Sequence, residues 1–123
     1  SEFTILATHP LPPVSPDHTA ERNEQLLQLG KFLSDSKEEG VLIGDFNTSS
    51  FSHVFKRLVE DYNLQDTRNG FGHLATWPSW FPPMKVTLDH CLVTSRIEVV
   101  DRGVGPAIGS DHLPIYMTIA VRP

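Results

Sequence analysis

Several features that define large classes of protein are scarce or missing in this sequence. The single cysteine, Cys91, excludes an internal disulfide, so the fold does not depend on an oxidising compartment. No apolar run approaches the roughly 20 residues with which a helix crosses a membrane. The residue spacings of zinc sites, such as C-x-x-C or H-E-x-x-H, do not occur. The sequence therefore excludes a disulfide scaffold and gives no support to a zinc protein.

Basic residues are outnumbered by acidic ones. Ten Lys and Arg residues stand against fifteen Asp and Glu residues, which gives a net charge of −5 at pH 7. Sequence-independent binding to long nucleic acid needs a broad basic surface, so this balance disfavours long duplex DNA as a partner. It does not exclude an enzyme that holds a phosphate group through a metal ion. The composition leaves the compartment of the protein open.

Alternating strand and helix patterns predict one domain over residues 1–123. Short apolar runs with β-branched residues indicate strands, and the first of them is expected to be buried on both faces. These runs span residues 3–8, 41–44, 86–94, 97–100 and 113–121. Apolar residues three and four apart predict amphipathic helices over 19–34 and 51–62, the second capped by Ser49 or Ser50. This interleaving is typical of an α/β or α+β fold with its polar motifs at strand ends.

Two connecting segments have compositions that exclude regular structure. The prolines within residues 9–17 remove amide donors, so that segment is predicted to be neither helix nor central strand. Residues 63–83 are predicted to form an irregular loop that carries Trp77 and Trp80 among glycines and prolines. Long aromatic loops tend to be functional surfaces. We therefore expect Trp77 and Trp80 to bind substrate, either at a membrane interface or by stacking on a base.

The segment Gly44-Asp45-Phe46-Asn47 places two polar side chains directly after a buried strand. Residues two apart on an extended chain point the same way, so Asp45 and Asn47 are expected to face one pocket while Phe46 faces the core. A carboxylate can take a proton from water, and an amide can donate to a phosphoryl oxygen. The alternative is a plain turn, which both residue types favour.

A second set of polar residues lies further along the chain. Ser110-Asp111-His112 offers a carboxylate for a metal or a water beside an imidazole that can hold a phosphoryl oxygen. Asp89 lies within an apolar run, where a buried carboxylate is costly unless it is paired. It would be well placed to accept the Nδ1 proton of His112. A structural hydrogen bond from Asp89 to backbone is the alternative.

The four motifs Thr8-His9, Gly44-Asp45-Phe46-Asn47, Leu88-Asp89-His90 and Gly109-Ser110-Asp111-His112, in this order, resemble the endonuclease/exonuclease/phosphatase superfamily. This DNase I-like superfamily includes nucleases, abasic-site endonucleases, inositol-phosphate phosphatases and neutral sphingomyelinases. Alone, His9 is more typical of a loop histidine. The segments THPLPPVSPDHTAERNEQL, GDFNTSS and TWP resemble a bacterial branch whose members often carry membrane helices ahead of the catalytic domain, so a membrane-associated parent protein is expected.

The resemblance implies a metal-dependent hydrolase of phosphate esters, as a phosphodiesterase, nuclease or phosphatase. By this resemblance His9 would bind or protonate near the scissile phosphate. Asp45 would orient the attacking water and Asn47 the phosphoryl oxygens. His112, oriented by Asp89, would stabilise the pentacovalent phosphorus.

The same resemblance implies the cofactor. Members use Mg²⁺, or Mn²⁺ in its place, in keeping with oxygen ligands and phosphate substrates. Asp111 would lie at the metal. Arg22 is a weaker match, as a residue that buttresses the site or binds substrate.

The resemblance extends to only half of the family's domain. The full DNase I-like sandwich has two pseudo-symmetric halves, and its metal-binding glutamate comes from the first. This chain resembles the second half, so we expect a mainly antiparallel or mixed sheet with helices on one face. We also expect weak or no activity alone. The sheet face normally covered by the amino-terminal half should be an apolar patch able to drive dimerisation.

A different class of function remains open from the sequence. The same pocket, or the loop with Trp77 and Trp80, would also suit a non-catalytic module that binds a phosphorylated ligand, a lipid or a protein. Dependence on Mg²⁺ separates the two, because a catalyst should need the ion and a module that binds through aromatic side chains should not.

Overall fold

Helices and strands alternate along the chain. The computed structural model describes residues 2–123, apart from the Pro82 side chain. The strands are β1 (Phe3–Thr8), β2 (Glu39–Asp45), β3 (Gln65–Asp66), β4 (Asp89–Val93), β5 (Ile97–Val104) and β6 (Ile115–Val121). The helices are α1 (Pro16–Asp35) and α2 (His53–Asp61), and a 3-10 turn spans Pro82–Met84. Within the described residues, neither helix is long and apolar enough to span a bilayer.

Two sheets build the fold. The larger has the order β1-β2-β4-β3, with β1 parallel to β2 and the remaining pairs antiparallel. The smaller is the antiparallel hairpin β5–β6, which has an irregularity between Val99 and Asp101. The expected mixed sheet of an α/β fold is therefore confirmed, and the hairpin adds a second sheet that the sequence reading had not separated from the first.

The helices pack on one face of the larger sheet. Their apolar side chains pack against the even-numbered residues of β2 and β4, of which Leu42 and Leu92 are fully buried. The rest of this core comes from Leu26, Leu33, Phe46, Val54, Phe55, Leu58 and Leu64. The core fixes the carboxyl end of β2, because Phe46 anchors the residue that follows Asp45.

The hairpin packs on the opposite face. Val41, Cys91, Val93 and Ile97 form a second core there, covered by alternate residues of β6. The hairpin does not cover β1, so Ile5 is exposed. The expectation that β1 is buried on both faces is therefore wrong, because β1 is an edge strand. An apolar groove of about 330 Å³ remains, lined by Phe3, Ile5, Val41, Ile43, Ile115, Tyr116, Met117 and Ile119.

Several predicted boundaries are wrong for local reasons. Helix α1 begins at Pro16, inside the segment that was expected not to be helical, because proline is tolerated in the first helical turn. Its cap is Ser15, whose Oγ accepts the amide of His18 at 3.1 Å. Helix α2 is capped by Ser52 rather than Ser49 or Ser50.

Glycine at position 44 is required where β1 and β2 converge. Gly44 has φ +150, and a Cβ there would collide with the Thr8 carbonyl oxygen. We predict that Gly44→Ala strongly destabilises the fold and separates His9 from Asp45, since the two strands must part. Gly72→Ala is the matched control, because Gly72 has φ +116 but nothing within 4 Å of the added methyl. Both variants carry a backbone cost of about 1–3 kcal/mol. Equal losses of unfolding free energy in urea would contradict this account.

Candidate active site

One edge of the larger sheet collects the polar residues predicted from the sequence. Parallel β1 and β2 end at this edge, which places His9 and Asp45 side by side. Antiparallel β4 begins there, and its first residue, Asp89, pairs with Asp45. His112 arrives on the loop that precedes β6. Sheet pairing therefore brings three of these distant segments together, and the loop before β6 adds the fourth.

These residues line a cleft of about 850 Å³. Its lining consists of His9, Pro12, Pro13, Asp45, Asn47, Trp77, Leu88, Asp89, Ser110, Asp111 and His112. Seven of the nine predicted site residues are in this set, while Arg22 and Trp80 are not.

His112 lies between two carboxylates. Its Nδ1 atom is 2.7 Å from Asp89 Oδ2, which is the contact expected for Asp89. Its Nε2 atom is 3.5 Å from Asp45 Oδ2. The same Asp45 oxygen is 3.4 Å from His9 Nε2, although His9 is largely exposed. Asp45 therefore faces two imidazoles, and Asp89 fixes the ring of one of them.

The environment shifts the pKa of both central groups upwards. Burial alone lowers the pKa of His112, but the hydrogen bond with Asp89 and the charges of Asp89, Asp45 and Asp111 outweigh it and raise the value. Burial raises the pKa of Asp45, helped by the charge of Asp89 and opposed by the Asn47 amide and the two imidazoles. The site thus combines a more basic carboxylate with an imidazole that holds its proton more firmly.

Asn47 departs from the expected extended arrangement. Its φ is +50, and its backbone amide donates to Asp45 Oδ1 at 2.9 Å, which makes this segment a turn. The segment is therefore the turn that was the alternative, although Asp45 and Asn47 both line the cleft, and their roles towards a phosphate stay predictions. The Asn47 side-chain amide donates to the Pro10 carbonyl at 2.7 Å and so ties down the loop after His9.

Arg22 supports the site from behind. Its Nη1 donates to the Asn47 carbonyl at 2.9 Å, and its other donors bind the Asn23 side chain. The guanidinium is buried and does not line the cleft. Arg22 therefore supports the Asn47 turn, and the substrate contact that the resemblance offered for it stays a prediction.

The loop with the two tryptophans meets the loop before β6. Trp77 Nε1 donates to Asp111 Oδ2 at 3.2 Å, and the Ser79 amide donates to the Asp111 carbonyl at 2.7 Å. Trp77 therefore lines the cleft. Trp80 is not among the lining residues and packs against Phe81, with ring centroids 5.7 Å apart.

A set of possible metal ligands lies at the centre of the cleft. Among the residues that the structure describes, Asp45, Asp89 and His112 offer ligand atoms within 4.8 Å of one another. Asp111 is not in this set, so its predicted place at the metal stays a prediction. Mg²⁺ is commonly held by one or two carboxylates plus waters and substrate phosphate, and this donor set fits such a partial shell.

One supporting residue was missed by sequence reasoning. Buried Thr76 accepts the amides of Leu88 and Asp89 at 3.3 Å, and its carbonyl accepts the Leu113 amide at 2.9 Å. It thus holds both segments that carry the Asp89–His112 pair, and only its place in the TWP segment hinted at it. His90 is buried and packs against Phe46.

The comparisons with known proteins agree with this geometry. Residues 1–112 match the Endonuclease/Exonuclease/phosphatase family, and the chain belongs to that family. Members of the family are hydrolases that act on phosphate esters, and they are generally metal-dependent. No curated protein matches the chain.

Solved structures share the fold. A conserved protein of unknown function from Enterococcus faecalis V583 has TM-score 0.75 and 23% identity, covering 96% of this chain and 50% of that one. The catalytic domain of human Nocturnin with bound sulfate has TM-score 0.71 and 20% identity, covering 95% and 46%. A mannosyl-6-phosphatase from Bacteroides thetaiotaomicron VPI-5482 has TM-score 0.66 and 18% identity, covering 94% and 49%. The chain therefore spans about half the length of these structures.

The charge of Asp89 should control the titration of His112. We predict that Asp89→Asn lowers the pKa of His112, because the variant loses both the ionic hydrogen bond and the nearby negative charge. Proton NMR of the histidine rings measures this, with the His112 signal assigned from its loss in His112→Gln. The exposed Asp35→Asn serves as a remote control and should leave that signal unchanged. An unaltered His112 titration in Asp89→Asn would refute the pairing.

His90 should make stability depend on pH. Burial lowers the pKa of His90 from 6.5 to about 4. The unfolded chain therefore binds the proton first as pH falls, and the unfolding free energy decreases between about pH 6.5 and 4, by on the order of 3 kcal/mol. His90→Phe should be less stable at pH 7, because the Thr48 carbonyl loses its hydrogen-bond donor. Its unfolding free energy should nevertheless fall less than that of the parent protein between about pH 6.5 and 4. Urea midpoints from pH 4 to 7 test this, and parallel curves for the two proteins would contradict it.

Proposed function

We propose that this chain supplies the water-activating and phosphoryl-binding half of a phosphate-ester hydrolase. The observation that carries the proposal is His112, held between Asp89 and Asp45 at the floor of the cleft. Membership of a family of phosphate-ester hydrolases supports it. So does the likeness to a structure described as a mannosyl-6-phosphatase, although the identity is only 18%.

Asp45 is the proposed base. Its carboxylate faces the cleft, and its raised pKa makes it a better proton acceptor than an exposed aspartate. As the oxygen of a water molecule forms a bond to phosphorus, Asp45 takes one proton from that water. The ester P–O bond breaks on the opposite side of the phosphorus, and the leaving oxygen keeps the bonding electron pair.

His112 and His9 are the proposed hydrogen-bond donors to the phosphate group. Protonated His112 keeps Nδ1–H on Asp89 and directs Nε2–H towards the cleft, where it donates to a phosphoryl oxygen as charge develops. His9 is exposed beside Asp45, and we propose that it binds a phosphoryl oxygen near the scissile bond. The second amide hydrogen of Asn47 is available to another phosphoryl oxygen, since the first is held by Pro10.

The proposed cofactor is Mg²⁺, or Mn²⁺ in its place. Asp89 and Asp111, both of which line the cleft, would hold it, and Asp45 would remain the base. When bound, the ion would neutralise the negative charge of the phosphoryl oxygens.

We also propose a partner for the apolar groove between β1, β2 and β6. The groove exposes Ile5 and Tyr116, and the chain spans about half the length of the structures that it matches. An amino-terminal half of the same domain would cover this face and add the remaining metal ligands, among them a glutamate. A second copy of the chain is the alternative occupant.

A hydrolysis assay tests the proposed function. An activated phosphodiester and a phosphomonoester are incubated with Mg²⁺ or Mn²⁺, using this chain and a form extended upstream. We expect the extended form to turn over and this chain to be much slower. Asp45→Asn should reduce the rate of the extended form by about 10²–10⁴-fold, because it removes the base. The exposed Asp35→Asn is the matched control.

The outcomes separate the candidate functions. If neither form hydrolyses either ester with either ion, the proposal fails, and a non-catalytic binding module takes its place. Equal rates for Asp45→Asn and the parent would show that hydrolysis does not depend on the base identified in the cleft.

A further inference from the structure

Three loops that border the cleft carry no Lys, Arg, Asp or Glu. They cover residues 9–15, 69–84 and 105–110, in a chain of which 20% of the residues are charged. Each loop adjoins the cleft lining, through Pro12 and Pro13, through Trp77, and through Ser110. Ser79 joins the second loop to the third by donating its hydroxyl proton to the Ser110 carbonyl at 2.8 Å. We call these three loops the rim.

The rim exposes large apolar side chains. The exposed fractions are 73% for Val14 and 69% for Ile108, which belong to the first and third loops. In the second loop Trp80 is 73% exposed and Met84 66% exposed. Leu11 and Phe81 are also exposed. The polar residues of the cleft are thus bordered by an uncharged, apolar surface.

We infer that the rim docks on a lipid surface and that the substrate is a phosphate ester of a membrane lipid. This inference rests on the proposed function. In a phospholipid the phosphate lies at the boundary between the polar headgroups and the acyl chains. An enzyme that reaches it there needs polar groups in its cleft and apolar side chains around the opening. Tryptophan suits this boundary, since its ring is apolar and its N–H is polar.

Charge selects among the possible partners. The rim offers no Lys or Arg to a nucleic-acid backbone or to anionic lipid, and the whole chain has a net charge of −5. We therefore expect the rim to bind an uncharged or zwitterionic lipid surface through apolar contacts. Such binding should change little with salt, because screening acts on charges and not on apolar contact.

Binding to phosphatidylcholine vesicles tests the docking surface. Cosedimentation and tryptophan fluorescence of this chain measure the partition at low and high salt. We expect binding at both, and the double variant Val14→Asp with Ile108→Asp should weaken the partition by about tenfold or more. Phe32→Asp, at an exposed apolar residue of α1, is the matched control and should bind like the parent.

Three results would overturn the inference. They are unchanged binding of the double variant, binding that requires anionic lipid and disappears in salt, and loss of binding in Ile5→Asp alone. The last result would assign the lipid contact to the groove beside β1. Capture of single-stranded nucleic acid by the rim, with no vesicle binding, would assign the aromatic side chains to base stacking and also refute it.

Hydrolysis by the upstream-extended form separates this inference from the proposed function. Asp45→Asn should bind vesicles like the parent while it loses hydrolysis. The double rim variant should keep its rate on a short-chain, water-soluble phosphate ester and lose rate on the same headgroup presented in vesicles. Equal losses on both substrates would contradict a docking role. Vesicle binding without hydrolysis of any ester would leave the docking surface standing and refute the lipid substrate.

Discussion

The parallel contact between β1 and β2, closed at Thr8 and Gly44, is the constraint on which the site depends. It sets His9 against Asp45, while the antiparallel pairing of β4 sets Asp89 opposite the same aspartate. A residue larger than glycine at position 44 cannot keep this spacing. Phe46, fully buried beneath the turn, holds the end of β2 in place. The packing of the sheet therefore determines where the polar side chains of the cleft lie.

Much of the site could be predicted from the sequence, because polar residues that directly follow a buried apolar run stand out. That pattern located Asp45, the cost of a buried carboxylate pointed to Asp89 and its contact with His112, and the family resemblance added His9. The orientation of Asn47 could not be predicted in the same way. Its positive φ follows from a turn in which Asp45 accepts the Asn47 amide, and turn and extended chain have the same local composition.

The fold class could be predicted from the sequence, but the arrangement of the sheets in layers could not. Periodicity showed where strands and helices lie, but it does not show which strand is at an edge. The FTILAT run of β1 is apolar enough for a buried strand, yet its outer face is open because the β5–β6 hairpin covers only β2 and β4. Thr76 escaped notice for a similar reason, since a buried threonine that binds two distant amides has no sequence signature.

We propose that water attacks phosphorus in this cleft, and isotope labelling tests this step most directly. Hydrolysis of a phosphate ester by the upstream-extended form in ¹⁸O-labelled water should place the label in the phosphoryl product and none in the alcohol. Replacement of His112 by asparagine should slow this incorporation strongly. Label in the alcohol, or incorporation that persists unchanged without His112, would contradict the mechanism derived from this structure.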